Sequence, residues 1–359
     1  MRIVHILLSL RGGGIQNFIL SLATEQKKLG HQVSVIVIDK YDSAYCQNLE
    51  NKFKDRHVDV YRLNKLRSNK LSLLKTICRC SSLLRSLKPD IVNTHSTMSH
   101  LYGSLATLVL NTRHVVTVHN APEPWNWMVR CLNRNKPIIF CSQSAYNMRR
   151  QNSRLMVPID NGISREIVAS ENVVDLRLDF GLSKDDKVIV LAGSLRPQKN
   201  YHFLKEISAA LNGRPYHFFV CGGKTTSGGI DTADFVSYPN IHFLGLRSDV
   251  SAIENGADLF LSCALFEGLP IAVLEAYFNG IPCVLSPISQ HRIISEVKYV
   301  WIPDEFTAEA FVEKIEQALE CPYTHGEIYE MRKSQIERFS IRQTAIEYVN
   351  FYENLKIRN

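Results

Sequence analysis

The amino-acid sequence predicts an α/β protein with two domains, each built on a parallel sheet. The chain has 359 residues, which is more than one ordinary hydrophobic core accommodates. Short apolar runs alternate with amphipathic stretches through both halves, the pattern of parallel sheets covered by helices on both faces. With 45% hydrophobic and 21% charged residues, the composition is that of an ordinary globular protein.

The first half of the chain carries six predicted strands and four predicted helices. Each strand is a short apolar run, and each helix has apolar positions three or four residues apart. The strands are residues 2–8, 32–38, 58–63, 90–94, 114–119 and 137–141, and the helices are residues 16–29, 71–87, 100–110 and 145–151. We therefore predict one α/β domain over residues 1–163.

The second half repeats the alternation. Its predicted strands are residues 187–191, 217–221, 241–243, 258–261 and 282–285. The helices that follow are expected to start near Asn200, Val250, Pro270 and Gln290. The polar stretch 164–187 is the predicted linker, and the second domain is predicted over residues 164–340. A last, aromatic-rich helix is predicted at residues 341–356.

Positive charge is concentrated in the first half. Residues 1–160 contain 23 Lys or Arg and nine Asp or Glu, a net charge of +14, whereas the remaining residues contain 19 and 26, a net charge of −7. Within residues 52–88, the predicted helix 71–87 is basic and amphipathic. Either it packs its leucines on the sheet, or it contacts an anionic membrane surface. No aromatic-interleaved basic motif or recognition-helix pattern favours nucleic acid as a partner.

Cysteine usage and targeting signals predict a cytoplasmic protein, with or without peripheral attachment to the inner face of the plasma membrane. Nine cysteines without paired spacing indicate reduced thiols. No secretory signal is visible, because Met1 and Arg2 run directly into a strand. The longest uncharged run, residues 91–112, is too polar to span a bilayer. No cysteine or histidine cluster has the spacing of a zinc site.

Two glutamates eight residues apart are the strongest chemical signal. Glu267 ends the loop after the apolar strand 258–261, and Glu275 lies in a helix whose first turn Pro270 suits. This spacing places both carboxylates on one face, suited to two parts of an elongated, hydroxyl-rich ligand. Between them, backbone amides at the helix start can face an anion.

Two cations follow the first strand of the second half. Arg196 and Lys199 lie at a predicted helix start, where a guanidinium fork, a mobile ammonium and the helix N-terminus favour phosphate. Together they can neutralise a nucleotide diphosphate without a metal. No Asp-x-Asp at a strand end suggests magnesium-bridged transfer, so no metal and no cofactor are predicted.

The glycine loop Gly12-Gly13-Gly14 admits a dinucleotide-binding interpretation, because it follows a strand and opens a helix. That pattern fails at Asn17, which stands where a third glycine or alanine should allow close helix packing. No P-loop pattern is present either.

Several segments in order along the chain resemble the retaining glycosyltransferases of family 4, whose fold is GT-B, two Rossmann-like domains facing a central cleft. Besides the segment 266–276 with both glutamates, the matching segments are residues 12–14, 117–120, 161–163, 193–200 and 243–250. Each match is weak alone, and the ordered set is specific. In this fold the last helix, residues 341–359, packs back on the first domain.

The resemblance also implies roles for individual residues. Catalytic roles are implied for Glu267, which would bind the transferred sugar, and for His119, beside the donor sugar at a strand end. Glu275 would bind the ribose, and Gly13 and Gly14 would approach the donor diphosphate closely. The remaining nucleotide-binding positions are Arg196 and Lys199 at the phosphates, Leu269, Pro270 and Ile271 at the phosphate edge, and Gly245, Leu246 and Arg247 at the base.

The sequence thus predicts a retaining, metal-independent glycosyltransferase that uses a nucleotide sugar, with a UDP-sugar favoured. The acceptor expected is a lipid-linked glycan in bacterial capsule, exopolysaccharide or O-antigen assembly, bound by the basic first domain at an anionic membrane surface. A nucleotide-sugar epimerase or phosphorylase on the same fold, an NAD-dependent oxidoreductase and a non-catalytic sugar-binding relative remain as alternatives.

Overall fold

The chain divides into two compact units, Met1–Gly162 with Phe339–Asn359 (unit 1) and Ile163–Arg338 (unit 2). The computed structural model describes residues 1–11, 14–66, 72–119, 125–147, 155–164, 172–211, 213–224, 229–294, 298–324, 326–328, 330 and 339–356. The sequence prediction placed the two domain changes at 163/164 and 340/341.

Unit 1 is built on a seven-stranded parallel sheet. Its strands are β1 (Arg2–Leu7), β2 (Gln32–Asp39), β3 (Asp59–Lys65), β4 (Ile91–Thr94), β5 (Arg113–Val118), β6 (Ile138–Phe140) and β7 (Met156–Pro158). They are arranged in the order β3-β2-β1-β4-β5-β6-β7. The central strand β4 is buried along its whole length, as expected for a parallel sheet with both faces covered.

Helices connect these strands, and side-chain caps explain where several of them begin. They are α1 (Gly14–Lys28), α2 (Ala44–Asp55), α3 (Ser72–Leu87), α4 (Thr97–Thr107), α5 (Trp127–Asn133) and α6 (Gln143–Asn147). Ser43 caps α2, Ser96 caps α4 through a capping box, and Asn126 caps α5. The cap at Ser96 makes α4 begin three residues before the predicted start.

Unit 2 repeats the architecture with six parallel strands. These are β8 (Lys187–Ala192), β9 (Tyr216–Cys221), β10 (Ile241–Gly245), β11 (Leu259–Ser262), β12 (Cys283–Leu285) and β13 (Val300–Trp301), in the order β10-β9-β8-β11-β12-β13. The helices are α7 (Leu176–Phe180), α8 (Leu204–Ala210), α9 (Val250–Asn255), α10 (Ile271–Asn279) and α11 (Ala308–Glu320). The predicted α/β fold with two Rossmann-like sheets is confirmed.

Each sheet has one point at which the strand order reverses. The reversal lies between β1 and β4 in unit 1 and between β8 and β11 in unit 2. In open α/β sheets, ligands bind outside the carboxyl ends of the strands at such a reversal. The loops that follow β8 and β11 carry Arg196, Lys199 and Glu267, and the second loop leads into α10 with Glu275, so the topology of unit 2 brings them to one edge.

The last helix, α12 (Ile341–Lys356), belongs to unit 1 and has the predicted bounds. Its aromatic face enters the core, where the Tyr348 ring lies 6.4 Å from the Phe18 ring of α1 in a tilted arrangement and the Tyr352 hydroxyl accepts a hydrogen bond of 2.6 Å from Asn93 Nδ2. Thr344 Oγ1 donates to the carbonyl oxygen of Asp160 at 2.9 Å. The helix therefore completes the first unit.

The basic helix α3 packs its apolar side chains on the sheet. Leu73, Ile77, Leu83 and Leu87 lie against the core cluster around Val4 and Val92. The cations Lys75, Arg79 and Arg85 are exposed, as is Leu74. Lys70, which precedes the helix, lies outside the described residues. This packing agrees with an ordinary helix whose outer face is solvated. Any contact with a membrane would depend on the charge of the exposed cations.

Several elements were missed or placed wrongly from sequence. The missed elements are β7, β13, α2, α5 and α11, of which the two strands are edges only two or three residues long. The predicted linker contains α7, which Asp175 caps and Gly181 ends in the left-handed region. The helix expected at Asn200 begins only at Leu204, because Asn200 itself is left-handed, with φ 53°, between two 3₁₀ turns.

Two further properties follow from the described residues. None of their helices combines the length and the apolar character required to cross a membrane. All nine cysteines are free thiols, and most of them are buried.

Candidate active site

The candidate site of unit 2 lies at the carboxyl ends of β8 and β11, which are neighbours in the sheet. The loop after β8 crosses to the loop after β11, where the backbone N–H of Leu265 donates to the carbonyl oxygen of Gln198 at 2.9 Å. This hydrogen bond links the loop with Arg196 and Lys199, which is predicted to bind the phosphates, to the loop with Glu267, which is predicted to bind the sugar.

Gly193 opens the first of these loops in a conformation that only glycine adopts easily. Its φ is +151°, and a Cβ placed on it would lie 2.7 Å from Cε of Lys199. The Tyr201 hydroxyl donates to the Gly193 carbonyl oxygen at 3.0 Å and fixes the turn from the other side. The absence of a side chain at Gly193 therefore makes room for the Lys199 stem.

Lys199 and Glu267, which were predicted to bind different parts of the ligand, form an ion pair. Lys199 Nζ lies 2.5 Å from Glu267 Oε1, with the two side chains only 18% and 6% exposed. Gln198 Nε2 donates to the Phe266 carbonyl oxygen at 2.8 Å and lies 3.3 Å from Glu267 Oε2. Both oxygens of Glu267 are thus engaged, and sequence reasoning missed the part played by Gln198.

Arg196 is the exposed cation of the same loop. It precedes the 3₁₀ turn Pro197–Lys199 in an extended conformation. Its guanidinium makes no hydrogen bond or ion pair to the part of the chain that the structure describes. Arg196 therefore has its full hydrogen-bonding capacity available for an anion.

Glu275 lies in the second turn of α10, whose first residue follows Pro270. Its side chain keeps a small exposed fraction, yet the surrounding protein removes enough water to raise the pKa of its carboxyl to about 7. The side chain of nearby Glu254 in α9 is fully buried. Its burial, and to a smaller extent the charge of Glu275, raises the pKa of the Glu254 carboxyl well above the usual range. Glu254 accepts a hydrogen bond from Asn279, while its Oε1 has no hydrogen-bond partner among the residues that the structure describes.

Glu254 was missed from sequence. Its sequence surroundings gave little signal of burial, because the polar Asn255 and Gly256 follow it directly.

The predicted base-binding segment lies at the end of β10. Gly245 has φ +69° at a register shift between β10 and β9, and its carbonyl oxygen accepts from the Gly222 N–H at 2.8 Å. The Arg247 guanidinium is held by Asp249 through two bonds of 2.8 and 2.6 Å, which lowers the pKa of that carboxyl. Leu246 is exposed. Backbone groups and Leu246, rather than the Arg247 charge, are thus available to a ligand.

The phosphate edge consists of Leu269, Pro270 and Ile271. The first two are buried and Ile271 is partly exposed. The Ile271 N–H donates to the Leu269 carbonyl oxygen at 2.9 Å, so one of the amides at the start of α10 is already used within the chain.

His291, which sequence reasoning missed, lies in the 3₁₀ turn His291–Ile294 after β12. Its Nδ1 lies 3.0 Å from the Ser286 carbonyl oxygen, which can only accept, so Nδ1 carries the proton. Burial lowers its pKa to about 3, and its Nε2 has no hydrogen-bond partner in the described part of the chain.

In unit 1, the predicted residue His119 lies at the end of β5 and is 6% exposed. Its Nε2 is 3.0 Å from His95 Nδ1, and its Nδ1 is 3.4 Å from Asn161 Nδ2. Burial lowers its pKa to about 3, so the ring is neutral near pH 7. Gly14 is the exposed first residue of α1, and Gly13 lies outside the described residues.

Over the described ranges of both units, no group of three or more His, Cys, Asp or Glu side chains is placed to hold a metal ion.

Comparison with known families matches both units of the chain. The model of glycosyltransferase family 4 matches residues 12–166, and the model of glycosyl transferases group 1 matches residues 175–339. Together the two models span nearly the whole chain.

Individual relatives are distant. An Escherichia coli UDP-Gal:α-D-GlcNAc-diphosphoundecaprenol α-1,3-galactosyltransferase is 27% identical over 250 residues, 62% of this chain and 64% of that relative's length. A Campylobacter jejuni N,N'-diacetylbacillosaminyl-diphospho-undecaprenol α-1,3-N-acetylgalactosaminyltransferase is 22% identical over 304 residues, 78% of this chain and 79% of the relative. The structure of Anabaena Alr3699/HepE with UDP and glucose superposes with a TM-score of 0.79 at 17% identity, covering 99% of this chain and 100% of that one.

Two parallel Rossmann-like sheets, each with a polar cluster at its reversal point, define a protein with the GT-B fold. The chain belongs to glycosyltransferase family 4, and its enzyme class is that of a glycosyltransferase.

The pKa of Glu275 predicts a pH-dependent effect of its replacement. Because the folded-state pKa lies above that of an unfolded glutamate, the native protein binds more protons between about pH 4.5 and 7, and this site loses stability as pH rises through that window. Glu275→Gln should therefore become more stable than the wild type with rising pH, by up to about 3 kcal/mol at pH 8.

Denaturant unfolding between pH 5 and pH 8 measures this difference. Glu309→Gln, at an exposed position of α11, is the matched control and should show no such trend. A constant difference between Glu275→Gln and the wild type over this range would contradict the assigned desolvation.

Proposed function

We propose that this chain is a retaining, metal-independent glycosyltransferase that transfers a sugar from a UDP-sugar to a lipid-linked glycan in bacterial surface polysaccharide assembly. The observation that carries the proposal is the cluster at the β8 and β11 ends, where the exposed Arg196 stands beside the Lys199–Glu267 pair and the start of α10. The cluster combines cationic groups for a diphosphate with carboxylates for hydroxyl groups.

The departing diphosphate needs neutralisation as the glycosidic bond breaks. Arg196 offers a planar fork of donors that suits phosphate oxygens, and the start of α10 adds the partial positive charge of a helix N-terminus. Lys199 contributes its two remaining N–H donors, since Glu267 occupies one. Fixed cations that stabilise developing negative charge are a main source of rate enhancement, and no metal ion is needed for it here.

The nucleoside is proposed to occupy the other side of the same edge. Glu275 would accept hydrogen bonds from the ribose hydroxyls in its ionised form. The backbone around Gly245, with the exposed Leu246, would lie against the base. Uracil is favoured because one relative is named as using UDP-galactose, and a structure with the same fold contains UDP.

Retention with front-face displacement is supported by the state of Glu267. A carboxylate whose oxygens face Lys199 and Gln198 is a weak nucleophile, because both contacts stabilise its negative charge. Its role is then to orient the sugar, and the departing phosphate oxygen accepts the proton of the attacking hydroxyl. The α-linkages named for both relatives agree with retention.

The acceptor is proposed to bind unit 1 because of that unit's charge, and its chemical class is taken from the relatives. Both have names that contain an undecaprenol diphosphate-linked sugar. The net charge of +14 over residues 1–160 suits a diphosphate at an anionic membrane.

Product analysis tests the reaction itself. We expect UDP release and a new α-linked glycan when the protein is incubated with UDP-sugars and polyprenyl diphosphate-linked sugars, and GDP-sugars serve as the comparison. Activity should persist in excess EDTA. An epimerised sugar nucleotide without acceptor, a sugar phosphate formed from inorganic phosphate, or activity that only magnesium restores would each contradict the proposal.

The two cations should differ in their effects. Arg196→Ala should weaken UDP binding by about 1.5–3 kcal/mol, the range for hydrogen bonds to charged groups, without loss of stability. Lys199→Ala should weaken UDP binding and also destabilise the fold by about 3 kcal/mol, because the buried Glu267 carboxylate is left unpaired.

Calorimetry with UDP and denaturant unfolding separate these effects. Replacing both partners, as Lys199→Met with Glu267→Gln, should recover stability but not UDP affinity. Lys205→Ala on α8 is the control. If the double variant Arg196→Ala with Lys199→Ala binds UDP as tightly as the wild type does, these two residues do not bind the phosphates.

Membrane association is proposed to depend mainly on charge, since α3 packs all of its leucines except Leu74 on the sheet. We expect the protein to sediment with anionic vesicles at low salt and to detach as salt rises, because screening shortens the reach of surface charges. Charge reversal at Lys75, Arg79 and Arg85 should weaken binding by about 1 kcal/mol or more per site. The same change at the exposed Lys184, Lys224 and Lys298 of unit 2 is the control, and equal binding of both triple variants would contradict the assigned surface.

A further inference from the structure

A second buried carboxyl group, that of Glu254 in α9, lies beside Glu275 and has no part in the proposed reaction. α9 and α10 pack against each other in unit 2. Glu275 and Asn279 are one turn apart on the same face of α10, since residues four positions apart are neighbours on a helix surface. Asn279 Nδ2 donates to Glu254 Oε2, and the Ser251 hydroxyl donates to Asn279 Oδ1 at 3.0 Å. These bonds hold the Glu254 carboxyl next to the turn of α10 that carries Glu275.

One oxygen of Glu254 is left over. The side chain is 1% exposed, and its Oε1 has no hydrogen-bond partner in the described part of the chain. A buried polar atom in that state costs free energy unless it carries a proton that another group accepts. Burial, and to a smaller extent the charge of Glu275, raises the pKa of Glu254 well above the usual range, so this carboxyl is protonated near pH 7. Burial raises the pKa of Glu275 only to about 7, so Glu275 ionises first.

The orientation of the Asn279 amide determines which oxygen of Glu254 carries the proton. With Nδ2 at Oε2, the proton lies on Oε1, from which it can be donated to the Glu275 carboxylate. The reverse orientation would direct the proton to Asn279 and leave two buried acceptors, Glu254 Oε1 and the Glu275 carboxylate, side by side. The first arrangement satisfies all of these groups, and the second does not.

Other charges near the pair are balanced or absent. Arg247 and Asp249, which precede α9, neutralise each other through two hydrogen bonds. Burial, followed by the charge of Glu254, raises the pKa of the Cys221 thiol at the end of β9 to about 12, so this thiol is neutral. Further ionisable side chains on the elements packed against α9 and α10 include the Arg177–Asp258 ion pair, Lys187, Tyr277 and Cys283.

We propose that Glu254 is a positioning residue that donates a hydrogen bond from Oε1 to the Glu275 carboxylate, and that nucleotide binding at Glu275 releases a proton to solvent. The inference rests on the proposed function for the identity of the ligand. The bond holds one oxygen of Glu275 and leaves the other for the ribose. Ribose hydroxyls that donate to Glu275 favour its ionised form, so the proton that this carboxyl holds in the free protein is lost on binding.

A carboxyl titration of the ligand-free protein tests the pair directly. ¹³C nuclear magnetic resonance of the protein labelled at glutamate carboxyl carbons should show one signal with a midpoint near pH 7, absent from Glu275→Gln. A second signal, absent from Glu254→Gln, should stay in its protonated form to about pH 8. If Glu254 ionises before Glu275, the proposal is overturned. Because this measurement needs no nucleotide, it judges the pair even if the proposed function fails.

Calorimetry with UDP-glucose tests the release of the proton. This ligand is a diphosphate diester, so its own charge is constant near neutral pH. Titrations in two buffers with different enthalpies of ionisation should show that a fraction of one proton leaves the protein per ligand bound at about pH 6.5, and almost none at about pH 8.5. Binding without proton release at the lower pH contradicts the proposal, whereas the absence of any binding contradicts the proposed function.

Variants of Glu254 separate a positioning role from a structural one. Glu254→Gln keeps a neutral donor toward Glu275 and should keep both the affinity and the proton release. Glu254→Leu removes the donor, so the midpoint of Glu275 should rise and the dissociation constant for UDP-glucose at pH 7 should increase by about tenfold or more. The loss should shrink at about pH 9, where Glu275 ionises without help. A general loss of structure would not recover with pH in this way.

Ile253→Val is the matched control, because Ile253 is fully buried in the same helix and carries no polar group. It should leave the affinity and its pH dependence unchanged. If Glu254→Leu behaves like Ile253→Val, or if Glu254→Gln binds UDP-glucose more tightly and releases no proton, Glu254 is not a neutral donor and the proposal is overturned. If Glu254→Leu does not fold, the carboxyl titration and the Glu254→Gln calorimetry decide it.

Discussion

The ion pair between Lys199 and Glu267 joins the two loops from which the candidate site of unit 2 is built. Two mostly buried charges cost free energy to remove from water, and they are stable here because Gln198 supplies a further hydrogen bond. Gly193 leaves room for the lysine stem, and the backbone bond from Leu265 to Gln198 holds the loops together. The exposed Arg196 and the start of α10 take their positions from this junction.

A second theme is the control of protonation by burial. The histidines of unit 1 are kept neutral, whereas Glu254 and Glu275 of unit 2 have raised pKa values. Neutral histidines can act only as fixed donors and acceptors, which suits the recognition of hydroxyl groups. A glutamate with a pKa near 7 can ionise when a ligand donates hydrogen bonds to it. Ligand binding then offsets part of the free-energy cost of keeping its negative charge away from water.

The central strands of both sheets were predictable, because strands covered on both faces are continuous apolar runs such as those of β1, β2 and β8. The edge strands β7 and β13 were not, since two or three residues carry no periodicity. α2 was missed because its buried face consists of only a few positions in a polar helix. The start of α8 depended on the left-handed Asn200, which a pattern of apolar residues does not encode.

By itself, the sequence determined the α/β class and the family, because motifs such as those around Glu267 and Arg196 are local in the chain, and it predicted candidate residues for the site. It did not determine which of those residues contact one another. The Lys199–Glu267 pair joins residues 68 positions apart, and the hydrogen bond between His5 and His95 joins residues 90 positions apart. Strand order decides such contacts, because the reversal in each sheet makes β1 a neighbour of β4 and β8 a neighbour of β11. The protonation states of Glu275 and His119 likewise depend on burial, which only the tertiary structure decided.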